Sequence, residues 1–211
     1  MIYKANLPKR WSEDLAYLFG LLIGDGSLPS AYSKRPNGKY QKRHLIYFIS
    51  NSKNFCDYVY IPSFKKLFGI TPKIEFVKNK INPLYNCRIE SKIIYEFLIK
   101  KGYIPGRKAK IAKIPKMPKK YYYHILAGLL DTDGGKKGSG FGLSTASENL
   151  AKFCIQVFKN LNLPYHSCPW RYKDHIYHQI YIGKKNMAKI LKSVPLKNNE
   201  KIAFLQSYTP R

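Results

Sequence analysis

Acidic residues are scarce in this chain. Twelve Asp and Glu stand against 38 Lys and Arg, a formal net charge of +26 over 211 residues. Charge this unbalanced repels itself in a compact fold, so a polyanionic partner is the economical reason to keep it, and nucleic acid is the first candidate. Long apolar runs are missing too. The longest, Leu15 to Gly24, covers ten residues, about half of what a bilayer crossing needs. No helical stretch sets a basic face against a clean apolar one, which argues against docking on acidic lipid. The first residues, Met1 to Trp11, hold no apolar signal core, so an intracellular protein is expected. Cys56, Cys87, Cys154 and Cys168 form no CxxC pair and no matching CxxxH. They are expected to be small core residues in a reducing compartment rather than zinc ligands.

What is present supports a folded, repeated molecule. Apolar residues make up 45% of the chain, enough for a core, and 18 Tyr supply rings for that core or for bases. The length allows one large domain or two halves of about 100 residues. Two segments answer each other at an offset of 108 residues: Leu18-Phe-Gly-Leu-Leu-Ile-Gly-Asp-Gly26 and Leu126-Ala-Gly-Leu-Leu-Asp-Thr-Asp-Gly134, identical at six of nine positions. A helical stretch follows each, ending near Ile70 and Leu163. Two short alternating runs come next, Lys73–Lys78 with Tyr85–Glu90, then Cys168–Lys173 with Ile176–Ile182. A last amphipathic helix closes each half, near 92–101 and 186–194. The predicted fold is α+β, with two αββαββα halves related by a pseudo-twofold axis.

Halves 1–102 and 119–211 are joined by a basic stretch, 103–118, whose prolines at 105, 115 and 118 predict an extended linker. The first half carries an insertion, Ser27–Arg43, with a hairpin turn at Pro36-Asn37-Gly38. Ser12 before Glu13 and Asp14 is a good helix start. Gly20 and Gly24 lie four apart, as do Gly128 and Thr132, and small residues at that spacing let two helix backbones approach closely. The repeated segments are therefore expected to pack on each other as a central seam.

Only six Asp exist in the chain, and three lie in these segments. Asp25 and Asp133 occupy the same place in both, just before the terminal glycine. Asp131 has Ile23 opposite it, and on a helix it points away from Asp133. About a pseudo-twofold, Asp25 and Asp133 converge at the negative ends of two helix dipoles, where they repel unless a cation sits between them. Hard oxygen ligands suit Mg²⁺ (or Mn²⁺), and metal clamping of a phosphodiester is the matching chemistry.

The paired segments resemble the signature of the LAGLIDADG homing endonucleases, in the monomeric form with two motifs in one chain. The second copy departs from that signature at Leu130 and Thr132, the first at Phe19, Leu22, Ile23 and Gly24. The resemblance implies a β-saddle on the major groove of double-stranded DNA, with the motif helices between the halves. It implies that Asp25 and Asp133 bind metal and activate the attacking water, helped by the carbonyls of Gly24 and Thr132. It also implies a basic side chain near the scissile phosphate, for which Lys53, Lys108 and Lys201 are candidates. The strands are then expected to supply base contacts: Arg35, Lys39, Gln41 and Arg43 in the first hairpin, Lys73, Lys78 and Arg88 beyond it, and Arg171, Lys173, His175 and Gln179 in the second half. An intron RNA maturase and a DNA-binding regulator are the alternatives on this fold. The retained acid pair favours cleavage. The Met1 start and the Tyr-Thr-Pro-Arg end favour a free-standing endonuclease over an intein.

Overall fold

The computed structural model describes residues 5–34, 36–78, 83–106 and 108–208. Chain order begins with α1 (Glu13–Asp25), β1 (Gly26–Ser27), β2 (Ser30–Lys34) and β3 (Tyr40–Ser50). A bent helix follows, α2 (Lys53–Phe55) running through a π-turn, Cys56–Tyr60, into α3 (Ile61–Phe68). Pro62 at the start of α3 has no N–H to donate, which accounts for the wide turn just before it. Then come β4 (Lys73–Val77), β5 (Leu84–Glu90) and α4 (Lys92–Lys100). The second half repeats the order with α5 (Tyr122–Asp133), β6 (Gly135–Lys137), β7 (Gly140–Thr145), α6 (Glu148–Asn160), β8 (His166–Tyr172), β9 (His175–Gly183) and α7 (Met187–Ser193). One further helix, α8 (Asn199–Gln206), extends the expected pattern.

Both sheets are antiparallel and share one strand order, β1-β3-β5-β4 and β6-β7-β9-β8, with β2 added against β3. Alternation sorts each sheet into two faces. Ile46, Phe48, Cys87 and Ile89 point into the first core, and Phe141, Leu143, Ile180 and Ile182 into the second. Odd-numbered residues of β3 and β9 face the other way. The β2–β3 hairpin turns at Gly38, whose φ of +78° few other residues adopt cheaply. Three of the four cysteines are buried, as expected, whereas Cys168 is exposed on β8.

The seam between the halves is α1 against α5. Ser12 caps α1 by accepting from the Leu15 amide at 3.2 Å, and Leu15 to Ile23 are all buried. A helix buried on every side has no room for side chains where it crosses its partner. A Cβ on Gly20 would stand 2.9 Å from Gly128 Cα and strike the Ile125 carbonyl, and one on Gly128 would stand 2.7 Å from the Leu21 amide nitrogen. One helical turn on, a Cβ on Gly24 would instead meet the side chain of Thr132, 2.8 Å from its Cβ.

Candidate active site

This close crossing brings the carboxylates together. Asp25 and Asp133 are the last residues of α1 and α5, and Asp133 Oδ2 lies 3.4 Å from where a Cβ on Gly24 would stand. Both acids are exposed to solvent at the mouths of clefts, with protein walls on their other sides. Those walls push both pKa values upward. Asp25 rises to about 6, first through burial and then through repulsion from Asp133, while Lys108 and Lys201 pull it back. Asp133 is raised by burial and lowered by Lys108, Lys201 and Lys137.

Two of the three candidate lysines stand at this site. Lys108, from the linker, donates to the carbonyls of Leu22 (2.5 Å), Gly24 (3.2 Å) and Gly26, and lies 3.1 Å from the Tyr103 hydroxyl. Lys201, from α8, donates to the Gly134 carbonyl. Lys108 thus caps the C-terminus of α1 and Lys201 that of α5, where the helix dipole is negative. Burial lowers the pKa of both, Lys108 to about 8. Lys53 instead forms an ion pair with Asp57 and lines neither cleft described below.

Two clefts open beside the carboxylates, and their walls are exchanged between the halves. The first, about 690 Å³, joins Asp25 and the first-sheet residues Ile49, Ser50 and Leu84 to Lys201 of the second half. The other, about 490 Å³, joins Asp133 and Ser144, His175 and Tyr177 of the second half to Lys108. Asp25 therefore shares its cleft with a lysine of the opposite half, and Asp133 shares its cleft with a lysine of the linker. The charges are less strictly paired: Lys108 acts more strongly than Lys201 on both carboxylates, and Lys201 is held first by Asp131 and Glu200 and then by Asp25 and Asp133.

Asp131 points away from both carboxylates, as its helical spacing predicts. It is 2% exposed, and its Oδ2 accepts from the Tyr17 hydroxyl at 2.6 Å and the Lys197 amide at 2.7 Å. Its carbonyl accepts from Asn198 Nδ2 at 3.0 Å, and the Asn198 side chain also caps α8. Asp131 thus ties α1, α5 and the start of the Lys201 helix together. Asn198 and Tyr103 were not legible as site residues, since their roles depend on contacts 67 and 81 residues away in sequence.

Among the described residues no cluster of three or more His, Cys, Asp and Glu surrounds a metal position. The donor set is two carboxylates with backbone carbonyls, all hard oxygens. That suits a small divalent cation that keeps several waters and takes substrate phosphate oxygens. The Thr132 hydroxyl is taken up within its own helix, donating to Gly128 and Leu129. The Gly24 carbonyl already accepts from Lys108, so a cation bound there would compete with that ammonium.

The sheet faces that open onto the clefts carry most of the expected base readers. In the first sheet the register puts Gln41, Arg43, Lys73 and Arg88 on one side, with Tyr47 and Ile49. Arg43 donates to Glu90 through Nε at 2.8 Å, and Arg88 lies 3.7 Å from Glu75. Lys39 and Lys78 are exposed beside strand ends. Arg35 lies outside the described residues. In the second sheet His175 and Gln179 face the cleft side. Arg171 does not: it pairs with Ile176 on the side shared by Ile180 and Ile182. The alternation of β8 around Trp170 reverses the expected orientation. Lys173 sits in the β8–β9 turn with its ammonium 5.6 Å from the Tyr172 ring.

This architecture is found in solved structures. The chain is similar to I-DmoI in complex with DNA and Ca, with a TM-score of 0.64 and 20% identity over 92% of this chain and 97% of that one. The complex of I-DmoI with DNA and Mn gives 0.63 and 18% over 86% and 96%. The meganuclease I-SmaMI bound to uncleavable DNA gives 0.58 and 15% over 93% and 90%. The fold is that of the LAGLIDADG homing endonucleases. The two repeated segments are α1 and α5, and the α+β halves about a helical seam are as the sequence predicts. No protein-family model matches the chain, and no curated protein is matched by its sequence.

Proposed function

We propose that this chain is a metal-dependent homing endonuclease that cuts both strands of duplex DNA at a long asymmetric site, acting inside the cell as a monomer. The observation that carries this reading is the pair of clefts at the end of a single seam, one lined by Asp25 with Lys201 and the other by Asp133 with Lys108. Asp25 and Asp133 would hold Mg²⁺ or Mn²⁺, with the Thr132 carbonyl and, in competition with Lys108, the Gly24 carbonyl as further oxygens. A divalent ion so held supplies a Lewis acid and a water of lowered pKa. Lys108 and Lys201 hold positive charge against the phosphates in the clefts and offset the charge that builds up as a phosphodiester is attacked. Residues 1–102 and 119–211 would each cover one half-site, with 103–118 crossing between them. Lys39, Gln41, Arg43, Lys73, Lys78, Arg88, Lys173, His175 and Gln179 are the proposed DNA contacts, and Arg171 is left as a phosphate contact at most.

The test is direct. The chain is incubated with Mg²⁺ and a plasmid carrying the intron-free allele of its host gene. A single linear product is expected, and none when the metal is removed with chelator. Tight binding without any cut would overturn the nuclease reading and favour a regulator.

A further inference from the structure

The cleft-side face of the second sheet differs in kind from that of the first. Directly opposed residues on neighbouring strands share a face. Register therefore places His166 with Tyr181, Cys168 with Gln179, Trp170 with Tyr177 and Tyr172 with His175 on the side away from Ile180 and Ile182. The rings are ordered on one another: His166 and Tyr181 stack at 4.8 Å, Trp170 and Tyr177 at 5.0 Å. Trp170 and Tyr172 remain 43% and 56% exposed. These eight positions of β8 and β9 hold no Lys or Arg, in a chain with 38 of them, and the one lysine that the register adds to this face, Lys137, stands on the far strand β6. The same face of the first sheet carries Arg43, Lys73 and Arg88, with Glu90 and Glu75 beside the two arginines.

Position decides what this ring surface meets. His175 and Tyr177 belong both to it and to the cleft of Asp133 and Lys108. A duplex seated on Asp133 must therefore continue across Tyr177 and Trp170. Rings on a sheet cannot stack on bases that are already stacked in a duplex. At a major-groove edge their complement is the C5-methyl of thymine, and the complement of Gln179 is adenine. The first sheet, with arginine and lysine, matches guanine edges instead.

We infer that the second half recognises an A·T-rich half-site through thymine methyl groups packed on Trp170, Tyr172 and Tyr177, while the first half reads its half-site by charge. The inference rests on the DNA endonuclease reading above and names the substrate class for one side of it.

The experiment uses the full chain. Duplexes are selected from a randomised pool by binding without metal, and the best is resynthesised with deoxyuridine for thymidine in one flank at a time. Selected duplexes should have one T-rich flank. Uracil there should weaken binding about threefold to fourfold for each contacted methyl lost, and uracil in the other flank should change little. In the Trp170→Ser, Tyr172→Ser double variant, whose exposed positions leave the core intact, the preference for thymidine over deoxyuridine duplexes should shrink to what Tyr177 alone supplies. Equal binding of both duplexes by the wild-type chain would overturn the inference. So would an unchanged methyl preference in the double variant, or tighter binding of the single strand. Cleavage of the selected duplex in Mg²⁺ is scored separately. A methyl preference without cutting sinks only the nuclease reading, cutting without methyl preference sinks only this inference, and a pool that yields no bound duplex sinks both.

Discussion

At the scale of single residues, three aspartates near one another do different work. Asp25 and Asp133 face the clefts, the first raised to about 6 and the second raised by burial, and Asp131 is buried behind them and raised to about 6. A carboxyl that holds its proton more tightly folded than unfolded stabilises the fold at low pH, and that stability is lost as pH rises through the folded value. For Asp25 the window runs from its ordinary 3.8 up to about 6. Metal-free wild-type protein should therefore lose melting temperature relative to Asp25→Asn as pH rises from about 4 to 7, and Mg²⁺ should shrink the gap. A gap that is flat with pH would contradict the upward shift that burial and, after it, repulsion from Asp133 give Asp25. Asp131→Ala strands the Tyr17 hydroxyl and the Lys197 amide, a cost of about 1–3 kcal/mol in chemical denaturation. Asp131→Asn, whose carbonyl oxygen can accept from both, should cost less. Equal losses would mean that Oδ2 is not the shared acceptor. Asp25 and Asp133 were legible as a pair because they repeat in register. The work of Asp131 was not, because its partners Tyr17 and Asn198 come from other segments.

At the scale of elements, the seam between α1 and α5 is what the glycine spacing predicts, and the measured approach is tighter than a spacing can state. A Cβ on Gly20 meets backbone, which cannot swing aside as a side chain can. Gly20→Leu or Gly128→Leu should then cost about 1–3 kcal/mol or more through overpacking. Wild-type melting in either variant would place the helices farther apart. Strands were readable from alternation, and the hairpin from Pro36-Asn37-Gly38. Helix α8 was not anticipated, although Asn198 followed by Asn199 and Glu200 is a good cap, because the internal repeat offers no counterpart and the count of elements was already complete. Arg171 shows the limit of composition. A basic residue on an exposed strand looked like a base reader, and only the register with Ile176 showed which side of the sheet it occupies.

At the scale of the whole molecule, charge and symmetry set the behaviour. A +26 chain on a long duplex should release many counterions. Affinity should fall by roughly 10³-fold or more between low and moderate salt. A nearly flat dependence, read by titration at several salt concentrations, would assign the charge to another purpose. Both clefts are built from both halves of one chain, so the active species should be a monomer, and an obligate dimer in light scattering would contradict that. The central claim is that Asp25 and Asp133 act as a pair, one in each cleft. Its most direct measurement is strand-resolved cleavage, with gel-shift on the same duplex, for Asp25→Asn and Asp133→Asn taken singly. The account predicts that each variant keeps specific binding and loses double-strand cutting. Either variant cutting both strands at the wild-type rate would contradict it.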